Sequence, residues 1–315
     1  MKYKILTHHF LKKLILIFFC FLLELQSQPK KVIIHKNLSD ALKTPNEVQI
    51  LDLSRNQLTT LPKEIEQLVN LESLYLRDNE LTTLPEEIGK LKNLKYLDIS
   101  RNRISNFPKE FWKLKNLEVL LLNENNLSNL PEEIGELENI KDLDISRNRI
   151  SNFPKEFWKL KNLKILFLNE NNLSNLPEEI GELENLSVLI LSDNQLTTLP
   201  VEIGELKNIH TLDISRNRIS NFPKGIQKLQ NLKALFLSIN NLSTLPKEIG
   251  KLENLLFLHL SGNKLTSLPK EIGKLKKLKR LNLLNNPTLK TTKDNIRKLF
   301  HNQNIPTFIS IDRII

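Results

Sequence analysis

The chain has 315 residues, of which 40% are hydrophobic and 6% aromatic, with one cysteine and a formal net charge of +10. The positive charge lies at the ends, because residues 1–47 sum to +5 and residues 274–315 to +8, while the residues between them sum to −3. This distribution argues against a nucleic-acid-binding track, which needs a continuous basic surface.

The first residues have the pattern of an export signal. Four lysines precede an apolar run at residues 14–23, and Glu24 ends the run. Ten apolar residues are too few for a membrane-spanning helix, which needs about 20, but they are typical of a secretory signal. We therefore predict a signal peptide at residues 1–27 and an exported protein, secreted or at the cell surface. Two alternatives are a lipid anchor on Cys20, although bulky Phe19 precedes it, and an uncleaved cytoplasmic protein.

A 23-residue repeat begins at residue 48. The string LDISRNRISNFPKEFWKLKNL at residues 97–117 returns unchanged at residues 143–163, and halving that spacing gives the unit. A fixed period in the twenties is typical of a solenoid, in which each unit contacts only its neighbours. We predict an N-terminal cap at residues 28–47, a solenoid of about 11 repeats at 48–290 and a C-terminal cap at 291–315. The repeating asparagines are Asn56, Asn79, Asn102, Asn125, Asn148, Asn171, Asn194, Asn217, Asn240, Asn263 and Asn286.

Each unit combines a strand pattern with a short helical one. In residues 71–93, Leu74 and Leu76 alternate at period two, which predicts a strand. Pro85, followed by two glutamates and an apolar pair, predicts a helical or 3₁₀ segment with proline at its first position. An asparagine side chain both donates and accepts hydrogen bonds. We therefore expect the asparagine column to satisfy the buried turn amides and carbonyls.

The two predicted caps differ from the repeat. We expect Ser39 to cap a short helix that Pro45 ends. The pattern of apolar and polar residues from 293 to 300 predicts an amphipathic closing helix. We expect its Ile296, Leu299 and Phe300 to face inward. Residues 305–311 can add a last strand.

The string LxxLxLxxNxLxxLPxEIGxLxN resembles the leucine-rich repeat, in particular its 23-residue bacterial subtype, over residues 48–290. The resemblance implies an α/β solenoid, a horseshoe with a parallel concave β-sheet and short helical or 3₁₀ segments on the convex side. It also implies a non-enzymatic, exported bacterial protein that binds another protein on its concave face.

Side chains that alternate with the core leucines face the concave surface of such a sheet. Several are apolar or aromatic, and soluble proteins rarely leave such a patch bare. We expect each aromatic ring to bury about 150–250 Å² against a protein partner, such as a host or matrix component. The alternative is that β-propensity alone places these side chains on strands. The candidate partner-binding residues are Tyr75, Tyr96, Val119, Leu121, Ile165, Phe167, Val188, Ile190, Phe236, Phe257 and His259, with Ala234 in the same strip.

Acidic residues interrupt this strip. The resemblance implies that the Asp and Ser of each LDLS or LDIS string hydrogen-bond along the sheet. A cation site formed by Asp98, Asp142 and Asp144 is the weaker alternative, since Leu121 intervenes.

A charged column directly precedes the asparagines. Because its signs largely alternate, we expect salt bridges between adjacent strands, with a role in recognition as the alternative. Trp112 and Trp158 stand where most units have glycine, and we expect them to pack against Phe111 and Phe157 rather than form a second docking surface. The charged column reads Arg55, Asp78, Arg101, Glu124, Arg147, Glu170, Asp193 and Arg216.

The sequence carries no motif for catalysis. None of the six histidines has a metal-ligand spacing, and there is neither a phosphate-binding glycine loop nor a G-x-S-x-G string. We predict no catalytic residue, no metal and no cofactor. The alternative function is an electrostatic binder of membrane surfaces or glycosaminoglycans that uses the basic ends, with the solenoid as spacer. The sequence leaves the oligomeric state open.

Overall fold

The computed structural model describes residues 33–300 and 306–311, so the predicted signal peptide lies outside the described residues. The repeats form one open sheet of 13 parallel strands whose spatial order follows the sequence. This is the predicted horseshoe solenoid. The strands are β1 (Ile34–His35), β2 (Ile50–Asp52), β3 (Ser73–Tyr75), β4 (Tyr96–Asp98), β5 (Val119–Leu121), β6 (Asp142–Asp144), β7 (Ile165–Phe167), β8 (Val188–Ile190), β9 (Thr211–Asp213), β10 (Ala234–Phe236), β11 (Phe257–His259), β12 (Arg280–Asn282) and β13 (Phe308–Ser310).

The constant repeat length sets the register of the sheet. Leu74 lies opposite Leu97, and Leu97 lies opposite Leu120, as their spacing of 23 residues requires. These leucines are fully buried between successive coils. Since side chains alternate along a strand, their neighbours on either side face the concave surface.

The chain returns on the convex side through short 3₁₀ helices. In every 3₁₀ helix after the first, proline is the residue before the helix. The prediction that proline occupies the first helical position is therefore wrong. Pro85, for example, has φ −69° and ψ 153°. The 3₁₀ helices are η1 (Pro45–Glu47), η2 (Lys63–Gln67), η3 (Glu86–Lys90), η4 (Lys109–Lys113), η5 (Glu132–Glu136), η6 (Lys155–Lys159), η7 (Glu178–Glu182), η8 (Val201–Glu205), η9 (Lys224–Lys228), η10 (Lys247–Lys251) and η11 (Lys270–Lys274).

Glycine and tryptophan occupy the same position of the convex turn. A Cβ on Gly89 would lie 2.4 Å from the carbonyl oxygen of Glu110, so this close approach of two coils requires glycine. Trp112 instead packs edge-on against Phe111, with ring centroids 4.9 Å apart, and Trp158 packs likewise at 5.0 Å. Both indoles are 2% exposed, which confirms the packing interpretation and leaves them no second docking surface.

The N-terminal cap contains helix α1 (Leu38–Ala41). The side-chain oxygen of Asn37 accepts a hydrogen bond from the Asp40 amide at 3.1 Å, so the expectation that Ser39 caps this helix is wrong. Asn37 stands directly before the first helical residue, whereas Ser39 is inside the helix. Pro45 begins η1 rather than only ending α1.

The C-terminal cap contains helix α2 (Lys293–Leu299), which begins after Thr292. Ile296 is 1% and Phe300 2% exposed, so the predicted inward face is confirmed. Strand β13 pairs with β12, as expected of a last strand. Neither α-helix, nor any 3₁₀ helix in the described part of the chain, has the length and hydropathy needed to cross a membrane.

Candidate interaction surface

The constant spacing of the asparagines gives each one from Asn79 to Asn286 the same set of bonds. The Asn102 side-chain amide donates to the carbonyl oxygens of Leu76 and Ile99, both at 3.0 Å. Its oxygen accepts a hydrogen bond from the Leu81 amide, also at 3.0 Å. One side chain therefore joins its own coil to the preceding coil. The column is buried from Asn79 to Asn286, at 8% exposure or less, whereas Asn56 in the first unit is exposed.

A second asparagine column, near the start of each strand, also links the coils. Asn93 donates from its side-chain amide to the Val69 carbonyl oxygen at 2.9 Å, and Asn116 donates to the Lys92 carbonyl oxygen at 2.8 Å. The same bond recurs at Asn70, Asn139, Asn162, Asn185, Asn208, Asn231 and Asn254. In the sequence this column is visible as the asparagine of each LxN string. Asparagine is common in turns, and that preference alone does not predict a bond to the preceding coil.

The charged column lies in a tight turn just after the strands, so its predicted placement on strands is wrong. Arg101, for example, has φ 55°, in the left-handed region, and its amide donates to the Asn123 carbonyl oxygen at 2.8 Å. We call the repeating asparagines from Asn56 to Asn286 the ladder asparagines. Of the eleven residues that directly precede them, only Asp78, Asp193, Gly262 and Asn285 are of types that favour the left-handed region. Because arginine and glutamate do not favour the left-handed region, the sequence did not predict this turn.

The predicted salt bridges do form along this column. Arg101 lies 3.5 Å from Asp78 and 3.3 Å from Glu124. Arg147 lies 2.9 Å from both Glu124 and Glu170. The bridges run without interruption from Arg55 to Glu170, and Asp193 pairs separately with Arg216. Since these side chains are partly exposed, each pair contributes at most about 1 kcal/mol.

The concave face carries the candidate partner-binding strip. Ten of its eleven residues are partly exposed: Tyr75, Tyr96, Val119, Leu121, Ile165, Phe167, Val188, Phe236, Phe257 and His259. Ile190 is only 2% exposed, so its inclusion as a partner contact is wrong. It lies in register between Phe167 and Asp213, and it offers a partner almost no surface. Ala234, at 8% exposed, is likewise covered.

Neighbouring side chains have already covered most of each aromatic ring. Tyr75 and Tyr96, for example, contact each other with centroids 4.9 Å apart. The area left for a partner is therefore well below the expected 150–250 Å² per ring. A partner that fits this face must also contact the polar columns beside the strip.

The acidic residues of the face bond locally. The Asp98 carboxylate accepts hydrogen bonds from the Ser100 amide at 2.9 Å and from its hydroxyl at 2.6 Å. The expected bond between the Asp and the Ser of an LDIS string is therefore confirmed, and it recurs between Asp144 and Ser146. It forms between residues two apart in one coil and does not run along the sheet. Burial raises the pKa of Asp98, and it raises the pKa of Asp142 and of Asp213 to about 6. Within residues 33–300 and 306–311, no His, Cys, Asp and Glu residues form a group able to hold a metal ion.

The C-terminal end of the face has a different character. The His259 ring stacks edge-on against Phe236, with centroids 4.9 Å apart. Burial, together with the charge of Arg280, lowers the pKa of His259 to about 4, so the ring is neutral at physiological pH. Ile239 is 49% and Leu284 38% exposed. This end therefore presents apolar side chains and a neutral histidine at positions where the middle presents carboxylates.

Known proteins share both the repeat and the fold. The sequence matches the family described as leucine rich repeat at residues 39–81, 69–127 and 207–265, the leucine-rich repeat region at 109–193, and two further copies at 184–228. A solved leucine-rich repeat protein of Leptospira interrogans is 32% identical, and the match covers 89% of this chain and 100% of that one, with a TM-score of 0.51. The chain belongs to the leucine-rich repeat family.

Other solved leucine-rich repeat proteins share the solenoid. An internalin from Listeria monocytogenes is 20% identical over 85% of this chain and 76% of its own, with a TM-score of 0.74, and shows the fold alone. The ectodomain of the Arabidopsis thaliana receptor kinase GASSHO1/SCHENGEN3, solved in complex with Casparian strip integrity factor 2, is 26% identical with a TM-score of 0.70. That match covers 89% of this leucine-rich repeat chain but 37% of the ectodomain. The curated proteins give no match.

Proposed function

We propose that this leucine-rich repeat chain is a non-enzymatic module, exported from a bacterium, that binds a protein partner on its concave face. The observation that carries the proposal is the strip of partly exposed apolar side chains on that face. An isolated scaffold gains nothing from apolar groups left in water, whereas a docked partner removes them from it.

The middle of the face has the composition of an interface core with a polar rim. Leu121 and Phe167 flank Asp144, each on an adjacent strand in register. Apolar anchors beside a few polar groups are typical of protein-binding surfaces. The receptor ectodomain that was solved in complex with Casparian strip integrity factor 2 has a related fold, which supports the same use of this solenoid.

Export rests on the N-terminal pattern of lysines and a short apolar run. Sequencing the N-terminus of the mature protein tests it. A start near residue 28 supports a cleaved signal, a modified Cys20 at the N-terminus indicates a lipid anchor, and an intact Met1 contradicts export by either route.

Affinity capture with the purified chain tests partner binding. We compare the wild type with a Phe167→Ala/Phe236→Ala double variant, and use Val201→Ala as the control because Val201 is 54% exposed on the convex side. We expect the captured protein to bind the double variant at least about tenfold more weakly, since truncating an interface anchor costs more than about 1 kcal/mol. Equal binding by the wild type and the double variant contradicts docking on this face.

Salt separates this proposal from the alternative. Lys276, Lys277 and Lys279 are exposed near the C-terminal end, and they offer a basic surface to membranes or glycosaminoglycans. Binding through such groups collapses as salt rises towards about 0.3 M, because the screening length falls below about 10 Å. Binding that resists salt and requires Phe167 favours the concave face.

A further inference from the structure

Ile239 departs from the column to which it belongs. The residues before the ladder asparagines are charged as far as Arg216, and the next three are Ile239, Gly262 and Asn285. Ile239 has φ 57°. The repeat imposes this left-handed conformation through the bond from the Ile239 amide to the Ser261 carbonyl oxygen at 2.7 Å, and branching at Cβ makes the conformation a strained one for isoleucine.

Burial in the fold does not offset the strain, because Ile239 is 49% exposed. The next coil leaves room for it: a Cβ on Gly262 would lie 3.0 Å from Cγ1 of Ile239. Any side chain at Gly262 would therefore crowd the isoleucine. Packing within the chain does not account for an apolar, strained and exposed residue held beside a glycine.

The surroundings of Ile239 are apolar and basic. Phe236, Phe257 and His259 lie on the same face of β10 and β11, and each is partly exposed. Lys233 and Lys279, just before β10 and β12, are exposed, as is Arg280 on β12. Residues 233–239, 256–262 and 279–285, which form the three strands and their flanks, contain no aspartate or glutamate. The C-terminal patch is defined as Lys233, Phe236, Ile239, Phe257, His259, Lys279, Arg280 and Leu284.

We propose that the C-terminal patch docks an extended segment of the protein partner, a segment that carries an apolar side chain flanked by carboxylates. This inference rests on the proposed function and names the chemistry of the partner. Three strands about 4.8 Å apart span about 10 Å, which suits a few residues of extended chain. The apolar side chain contacts Ile239 and Phe236, and the carboxylates contact Lys233, Lys279 and Arg280.

Charge on the rest of the face directs such a segment to this end. Asp98, Asp142 and Asp144 lie on β4 and β6, where they repel carboxylates, and Lys141 and Lys164 beside Asp142 offset only part of that repulsion. His259 remains neutral and serves as an aromatic wall against Phe236. Like-charge contacts disfavour a wrong position as strongly as opposite charges favour the right one.

Selection from a random library of 12-residue peptides displayed on phage tests the inference. The wild-type chain is the bait, and the most enriched peptide is then synthesised for fluorescence anisotropy. We expect enriched sequences to combine an apolar residue with neighbouring acids. We expect the synthetic peptide to bind more weakly as salt rises but to remain bound at about 0.3 M, because salt screens its contacts with the lysines and not its apolar contacts with Ile239 and Phe236.

Two variants and a matched control locate the site. Asparagine tolerates the left-handed region, so Ile239→Asn keeps the turn and removes the apolar group. We expect it to bind the synthetic peptide at least tenfold more weakly while its Tm is unchanged or rises by about 2 °C. Lys233→Glu/Lys279→Glu should lose binding similarly. Asp193→Asn changes the same position of an earlier coil, with φ 57°, and should bind as the wild type does.

Each contrary result has a distinct meaning. Enriched peptides that are basic, or Ile239→Asn binding as tightly as the wild type, overturn the inference. If the peptide binding survives Ile239→Asn but is lost in Phe167→Ala, the partner uses the middle of the face, so the proposed function stands and the inference falls. A selection that enriches no peptide on the wild type overturns the inference, and the capture experiment then decides the proposed function alone.

Discussion

The asparagine turns and the concave face follow opposite rules within the same coils. Asn102 and Asn194 lie four coils apart and bond to equivalent backbone atoms. Asp98 and Ile190 occupy equivalent positions of the concave face and share no chemistry. The positions held constant by the repeat build the solenoid, and the positions that vary are free to determine recognition. Such a division is possible because each coil contacts only its neighbours.

The largest expected effect tests the constant part. The Asn148 amide donates to the Leu122 carbonyl at 3.0 Å and to the Ile145 carbonyl at 3.2 Å, and its oxygen accepts from the Leu127 amide at 3.0 Å. Asn148→Leu leaves the buried Leu127 amide without its acceptor. Each of the two carbonyl oxygens loses one of its two donors, since Asn125 still donates to Leu122 and Asn171 still donates to Ile145. We expect a loss of about 2–4 kcal/mol in the free energy of unfolding, measured in urea.

The matching change on the concave face is Ser73→Ala, which should alter stability by less than about 0.5 kcal/mol. Ser73 is a partly exposed strand residue at a position that varies between coils. If Asn148→Leu costs less than about 1 kcal/mol, or Ser73→Ala costs as much, the distinction between constant and variable positions fails.

The next effect concerns the convex turns. A Cβ on Gly250 would lie 2.3 Å from the Glu271 carbonyl oxygen, whereas one on Gly181 would lie 2.9 Å from that of Glu202. We expect Gly250→Ala to lower the unfolding free energy by about 2–3 kcal/mol and Gly181→Ala by about 1 kcal/mol or less, since overpacking typically costs 1–3 kcal/mol. Equal losses in urea denaturation would show that the coils adjust freely.

The sequence predicted the part of the fold that depends on repetition. A period of 23 without insertion predicts strand register, as in the pairing of Leu74 with Leu97. It also predicts an inward asparagine, because each coil contains the same buried turn. The inward face of α2 followed from its own amphipathic pattern, as Ile296 and Phe300 show.

The features that the sequence did not predict depend on contacts with neighbouring residues and coils. The alternation of side chains along one strand does not describe these contacts. The alternation of side chains along β8 predicted that Ile190 faces the concave surface. It did not predict that the adjacent strands cover the side chain and leave it 2% exposed. The left-handed turn at Arg101 is set by the backbone bonds between coils, not by a preference of arginine. Asn37 and Ser39 are both good helix-capping types, and only the bond to Asp40 distinguishes them.

A pH experiment tests the concave face itself. Burial raises the pKa of Asp142 to about 6, against the opposing effects of Lys164 and Lys141, and Glu118 adds to the rise. The folded state therefore binds the proton more tightly than the unfolded chain, and stability falls as pH rises from about 4 to about 6.

Asp142→Asn removes this dependence, so the comparison with the wild type isolates it. We expect the variant to gain about 1–2 kcal/mol relative to the wild type between pH 4 and pH 7.5, because partial exposure reduces the effect of a two-unit shift. Urea denaturation at both pH values measures the gain. A stability difference that is the same at both would show that Asp142 titrates normally in the fold.

The smallest effect tests the charged column, which lies in the turns that follow the strands. Arg147 contacts Glu124 and Glu170 at 2.9 Å and has φ 55°, while Arg55 has φ 60° and only Asp78 as a partner in the column. We expect Arg147→Gln to lower the unfolding free energy by about 0.5–1 kcal/mol at low salt and by less at 1 M salt, with almost no change for Arg55→Gln. Arg147 and Arg55 share a backbone conformation. A difference between the stability losses of the two variants therefore measures the salt bridges and not the turn. If Arg147→Gln instead leaves stability intact but weakens partner binding, the charged column belongs with the variable, recognising part of the molecule.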